Sequence, residues 1–274
     1  MTRTLVLGGG GIAGIAWEAG IVTGLRRAGL DLGEADLLVG TSAGSVVGTL
    51  IATGVDLEGA VGAQADAEPA AAAPSVDLQA VIEVFGLLND PSLEPEEARR
   101  RVGALALRVG GAGARTERIG EQLPVQEWPD RRLLVTAVDT GTGEFVVWDR
   151  HSGVPLASAV ASSCAVPCVF PPVAINGRRY MDGGVRSVTN ADLAAGSSAV
   201  VVVEPLAHLE TRRRIDAEIA TLGDAAVAHV TPDQASVTVF GSDILDPALW
   251  RPAFAAGLAQ APDVVESVAK VWRD

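Results

Sequence analysis

Aromatic residues are scarce in this 274-residue chain, with 5 Phe, 5 Trp and 1 Tyr. Its core must therefore be filled largely by Ala, Val and Leu. Cysteine is nearly absent as well: Cys164 and Cys168 alone exclude a disulfide-stapled scaffold. They lie in Ser162-Ser163-Cys164-Ala165-Val166-Pro167-Cys168, with no second Cys or His cluster to complete a zinc site, so they read as small core residues. Positive charge is in deficit. Lys+Arg number 21 against 34 Asp+Glu, a net charge of −13, which argues against a nucleic-acid partner or bulk attraction to anionic lipid. Apolar residues nonetheless make up 48%, too many for a disordered chain.

Long membrane-spanning runs are lacking too. Leu37 to Val55 carries no charge over 19 residues, but Gly40, Gly44, Gly48 and Gly54 interrupt it. The uncharged stretch from Ser152 to Gly177 holds Pro155, Pro167, Pro171 and Pro172. The apolar run Leu5-Val6-Leu7 is too short for a signal-peptide core. These features predict a soluble, cytoplasmic protein.

Thr4 to Leu7 reads as a buried strand entering the turn Gly8-Gly9-Gly10-Gly11, and Ile12 to Arg27 as a helix stopped by Gly29. Asp36 to Val39 predicts a second strand, followed by Gly40-Thr41-Ser42-Ala43-Gly44 and a helix from Ser45 to Thr53. Strand, glycine turn and helix, twice over, is the pattern of a parallel α/β sheet. The Ala-rich segment from Asp56 to Pro74 suits a surface helix with a linker, or a flap at a substrate entrance. A charged helix is expected over Glu94 to Val109, and a hairpin of strands Arg132–Val138 and Glu144–Trp148. Further strands are expected at Val200–Val203 and, last, at Val237–Phe240, with His229 in a helical Ala/Val stretch. Helices over Arg213–Leu222 and within Ala248–Trp272, interrupted near Pro252 and Pro262, would cover the sheet. No repeat or linker divides the chain, so one domain over 1–274 is expected. Its motifs lie within about 4–204, and 205–274 supplies C-terminal helices and the last strand.

Gly9-Gly10-Gly11-Ile12-Ala13-Gly14 fits G-x-G-x-x-G between a strand and a helix. The same N–H groups and positive helix end serve either a dinucleotide pyrophosphate or the oxyanion of an acyl transfer. The second strand ends in G-x-S-x-G instead of the acid that would hold a ribose. That turn would present the Ser42 hydroxyl on a strained elbow. An ordinary βα turn with a capping serine is the plainer alternative. A serine nucleophile needs a base. His208 and His229 follow Ser42 in the order of a Ser–His–Asp hydrolase, but neither sits in a glycine-flanked turn. Asp182 does, directly before Gly183-Gly184. Leu245, Leu249, Trp250 and Phe254 would line an acyl pocket or simply form a helix buried on the sheet.

These residues resemble the patatin-like phospholipases. Leu5-Val6-Leu7-Gly8-Gly9-Gly10-Gly11-Ile12-Ala13-Gly14 is similar to the family's oxyanion segment, Gly40-Thr41-Ser42-Ala43-Gly44 to its nucleophile elbow and Asp182-Gly183-Gly184 to its D-G-[GA] motif. The run from Ala161 to Asp192 is similar as well. The resemblance implies a three-layer α/β sandwich with a mostly parallel sheet, and a lipid acyl hydrolase that uses a Ser42–Asp182 dyad. The oxyanion would be held near Gly9, Gly10, Gly11 and Ile12, with Gly14, Gly40, Gly44, Gly183 and Gly184 as motif support. It calls for no cofactor and no metal, a lipid or other acyl-ester substrate, and at most a transient membrane-surface contact. Two positions depart from the pattern. Ala13 stands where the family usually has Lys or Arg, and Thr189-Asn190-Ala191 replaces an Asn-Pro-type ending. A catalytically idle relative, or a module binding nucleotide or lipid through Gly9–Gly14, is the competing reading.

Overall fold

The computed structural model describes residues 2–67, 78–108, 119–209 and 212–273. Strand β1 (Arg3–Leu7) lies at the centre of an eight-stranded sheet, buried on both faces, which is why it reads as an unbroken apolar run. It pairs in parallel with β2 (Leu37–Gly40) on one side and β7 (Ala199–Val203) on the other. Beyond β7 lies β8 (Ala226–Val230), again parallel. On the opposite side β2 pairs in parallel with β3 (Arg132–Asp139). β3 also pairs antiparallel with β4 (Phe145–Trp148), the expected hairpin, and with β6 (Arg178–Asp182). β5 (Val173–Ile175) closes that edge against β6.

Helices cover both faces, giving the expected three layers. Alternate residues of the strands divide between them: Leu5 and Leu7 face one core, Val6 the other. The larger core lies under α1 (Gly11–Arg27), α2 (Ala43–Ala52), α6 (Leu156–Ser163) and α9 (Trp250–Trp272). The second face is covered by α7 (Arg212–Ala220) and the turn at 191–194, and farther along by α5 (Pro95–Ala106) with α4 (Leu78–Leu88). Helix α3 (Leu57–Ala67) takes up the first part of the Ala-rich segment. Residues 68–74, where the flap was one reading, lie outside the described residues.

Three expectations are corrected. Val237–Phe240 belongs to helix α8 (Gln234–Phe240), started by Asp233, whose carboxylate accepts the Ser236 N–H at 2.7 Å. A run of β-branched residues had the look of a strand, but the cap and the packing of Phe240 on Trp17 make it a helix. The last strand is instead β8, which contains His229. There the register with β7 overrides the helix propensity of alanine. Helix α9 runs unbroken through Pro252 and Pro262. Pro252 falls in its first turn, where a missing N–H costs nothing. The turn around Pro262 is held by close packing on α1.

That packing depends on small residues. A Cβ at Gly20 would overlap the Phe254 carbonyl oxygen, and one at Gly257 the Trp17 carbonyl oxygen. The two backbones touch, and Trp17 Nε1 donates to Gln260 Oε1 at 3.1 Å across the contact. No helix among the described residues is long and apolar enough to cross a membrane. Gly20→Val should force α1 and α9 apart and cost about 3 kcal/mol or more of stability. An unchanged urea midpoint would show that the helices do not meet there.

Candidate active site

The site follows from one feature of the sheet. Val135 of β3 pairs with Gly40 on one edge and Trp148 on the other, while Ala137 pairs with Asp182 and Val146. β4 holds the same edge throughout, so β2 and β6 share the opposite edge. They run head to head, because one is parallel to β3 and the other antiparallel. The end of β2 and the end of β6 thus arrive two residues apart along β3, a separation of about 7 Å. Residues 140 positions apart in sequence converge there, and Ser42 and Asp182 meet.

Ser42 has φ 52° and ψ −117°, a conformation that non-glycine residues rarely adopt. The elbow is held on every side. The Ser42 N–H donates to Ser163 Oγ at 2.9 Å, and its carbonyl accepts from Ser45 Oγ at 2.6 Å and Cys164 Sγ at 3.5 Å. Gly44 lies so close to β1 that a Cβ would overlap the Leu7 carbonyl, which is what the second glycine of G-x-S-x-G allows. Burial, and then the charge of Asp182, push the Cys164 thiol up to about 12, so it is a buried, inert thiol as the core reading expects, whereas Cys168 is only partly buried.

Asp182 closes β6 with 4% exposure. Burial raises its carboxyl from the usual carboxylate range to about 7, opposed by hydrogen bonding from the Ser42 hydroxyl and the Gly184 N–H. The latter lies 2.7 Å from Oδ1. Gly183 abuts β3 so closely that a Cβ would overlap Thr136 Oγ1. The two glycines after the aspartate therefore do different work: one lets the turn touch the sheet, the other presents an N–H.

The glycine loop after β1 completes the site. A Cβ on Gly9 would sit 3.6 Å from the Ser42 Cβ. Gly9 itself departs from expectation, because its N–H is spent on the Val188 carbonyl at 2.8 Å. The N–H groups of Gly10, Gly11 and Ile12, at the open end of α1, have no acceptor among the described residues, whereas that of Ala13 bonds to the Ile244 carbonyl at 3.0 Å. Gly14 packs against Ala43, and Leu245 against Gly11. Trp250 and Phe254 are core residues, as the helix reading had it.

Two residues escaped the motif reading. Asn190, fully buried with φ 51°, donates from Nδ2 to Thr41 Oγ1 at 3.0 Å and to the Ser187 carbonyl at 2.7 Å, and approaches the Gly183 carbonyl at 3.4 Å. It ties the residue before Ser42 to the residue after Asp182. Arg186 holds Asn190 Oδ1 at 2.7 Å and pairs with Asp192 through both terminal nitrogens. The second is Glu18 on α1, whose carboxyl is fully buried without a hydrogen-bond partner of good geometry. Burial pushes it well above the usual range, countered by the Gly8 N–H. No histidine joins the site. His229 Nε2 lies 2.6 Å from Glu204 Oε2, and His208 stands near Phe240.

A family model described as patatin-like phospholipase matches residues 5–195. The chain belongs to that family. Membership implies lipid acyl hydrolase activity. No curated protein matches the chain. Among solved structures, VipD from Legionella pneumophila is 14% identical at a TM-score of 0.47, covering 97% of this chain and 67% of its own. The type III effector ExoU is 18% identical at 0.43, with this patatin-like chain spanning 54% of its length. In its Pseudomonas aeruginosa complex with SpcU, the corresponding values are 16%, 0.34 and 59%.

The buried carboxyl links stability to pH. Between its unfolded value near 3.8 and its folded value of about 7, native Asp182 keeps a proton that the unfolded chain has lost. Its contribution to stability is full below about pH 4 and is lost as pH rises to about 7. Asp182→Asn removes this loss. The stability of the variant relative to wild type should therefore climb between pH 4 and 7, by an amount on the order of a few kcal/mol. Parallel urea-derived stability curves over that range would contradict the assignment.

Proposed function

We propose that the chain hydrolyses acyl esters of lipids, of the phospholipase A, lysophospholipase or carboxylesterase type, through a Ser42–Asp182 dyad and an acyl-enzyme. The observation that carries this reading is the meeting of a strained serine with a buried carboxyl raised to about 7, beside three open N–H groups. Ser42 Oγ attacks the acyl carbonyl while its proton passes to Asp182 Oδ2, Oδ1 being engaged by Gly184. The C=O electron pair moves onto oxygen, where the N–H groups of Gly10, Gly11 and Ile12 stabilise it. Collapse expels the alcohol, which takes the proton from Asp182. Water then attacks the acyl-enzyme, giving its proton to Asp182. Collapse releases the carboxylic acid as Ser42 Oγ takes that proton back from Asp182, which restores both groups.

An aspartate of ordinary acidity is a weak base at neutral pH, and burial corrects this. Each oxyanion donor contributes roughly 3 kcal/mol in serine hydrolases. The half-buried Leu245, beside Gly11, is placed to meet an acyl chain. The dinucleotide alternative lacks the acid expected at the end of β2, and the histidine alternative lacks a histidine at Ser42.

A fluorophosphonate probe should label wild type and not Ser42→Ala. Asp182→Asn should lower kcat/KM for p-nitrophenyl esters by about 100-fold or more. Wild-type kcat/KM should rise with pH through about 7, as Asp182 gives up its proton. His208→Gln should keep its turnover of p-nitrophenyl butyrate, the ester on which this variant is judged. Equal labelling of wild type and Ser42→Ala, or loss of turnover in His208→Gln, would overturn the dyad.

A further inference from the structure

The C-terminal ends of β1 and β2 carry the proposed chemistry, but the same rim of the sheet continues over β7 and β8. There a cavity of about 170 Å³ opens, lined among others by Glu204, His208, Arg212, His229 and Thr231. Pockets that enclose whole small molecules run to roughly 300–1,000 Å³, so this one suits a single polar group. Its lining carries one acid and one guanidinium. Glu204 is the acid in the lining, it is buried, and its Oε2 already lies 2.6 Å from His229 Nε2. Arg212 has no carboxylate partner among the described residues. His229 thus occupies the acid, and Arg212 is the charge left to face a ligand. A cation is a poor occupant, since no three His, Cys, Asp or Glu among the described residues are grouped to hold a metal ion.

We propose that this cavity binds a phosphate group. The Arg212 guanidinium offers a fork matched to phosphate oxygens, His208 supplies a ring N–H donor and Thr231 a hydroxyl, while His229 holds Glu204. Its wall adjoins the oxyanion loop. Val203 at the end of β7 accepts the Gly8 N–H at 3.0 Å, and Pro205 packs on Gly10 and Gly14. Two to three strand spacings, about 10–15 Å, separate the cavity from the strand that carries Ser42. A phosphate there is either part of a lipid headgroup reaching along the rim or a free phosphate ligand.

Calorimetry on Ser42→Ala protein, at ionic strength fixed with sodium chloride, tests binding without turnover. Inorganic phosphate and glycerophosphocholine are the probes. Phosphate should bind saturably at one site, weaken about tenfold or more in the added variant Arg212→Gln, and recover partly in Arg212→Lys. Arg212 is exposed, so its replacement leaves the fold intact. No saturable phosphate heat, or equal affinity in Arg212→Gln, overturns the proposal. Turnover distinguishes the sources. A loss in Arg212→Gln for lysophosphatidylcholine but not for p-nitrophenyl butyrate assigns the site to the headgroup. Phosphate binding with an unchanged substrate ratio assigns it to a free ligand. Should wild type hydrolyse neither ester, the hydrolase reading falls while the calorimetry still decides the site.

Discussion

One edge of β3 accommodates two strands that point at each other. Everything at the site depends on this, because strand pairing fixes position far more firmly than a loop does. β2 stops at Gly40 because the chain must turn sharply into α2. β6 stops at Asp182 because Gly183 turns the chain against Thr136. Between the two ends Thr136 Oγ1 donates to Thr41 Oγ1 at 2.9 Å, and Asn190 bridges Thr41 to the Gly183 carbonyl. The gap is filled by hydrogen bonds between short side chains, so neither end can slide without leaving a buried polar group unpaired.

The scarcity of aromatics suits this geometry. Ser163, Cys164, Ala165 and Ser45 form the layer beneath the elbow, all of them small and buried. Their polar atoms go to Ser42's own backbone, which holds φ at 52°. Strain of this kind costs about 1–3 kcal/mol and persists only where the surroundings fix it. The contact between α1 and α9 follows the same rule at larger scale, since glycines bring the helix that follows the glycine loop against α9.

Much of this was legible in the sequence because glycine motifs encode close approach directly. The two βα turns and the parallel sheet followed from punctuation, and the pairing of position 42 with 182 from the family resemblance. Other features were not legible, for physical reasons. Arg178–Asp182 is a strand only because β3 offers it an edge, and its two leading arginines carry no apolar alternation. Ala226–Val230 and Gln234–Phe240 exchanged identities, because alanine and β-branched residues have local preferences that partner strands and caps override. Gly9 shares the composition of its neighbours. Only the Val188 carbonyl, brought across from the segment after Asp182, separates its N–H from theirs. Asn190 lies in a stretch that departs from the family's usual ending, yet its amide does the joining.

The departure at Ala13 bears on the proposed chemistry. Ala13 is fully buried, with its N–H bonded to Ile244, so no side-chain cation stands at this point of the loop. Stabilisation of the oxyanion then falls to backbone dipoles and the end of α1. A dyad suits that shortage. With a histidine base, proton transfer creates a cation and an anion together. With Asp182 the charge before attack is −1 on the carboxylate, and after attack it is −1 on the oxyanion. The site keeps one net charge throughout and only moves it. The carboxylate gives up a single N–H, from Gly184, plus the serine hydroxyl, and the oxyanion gains up to three N–H groups. In a buried site, shifting one charge from the poorer set of donors to the richer avoids the cost of separating two. The burial that raises Asp182 to about 7 thus favours both halves of the transfer.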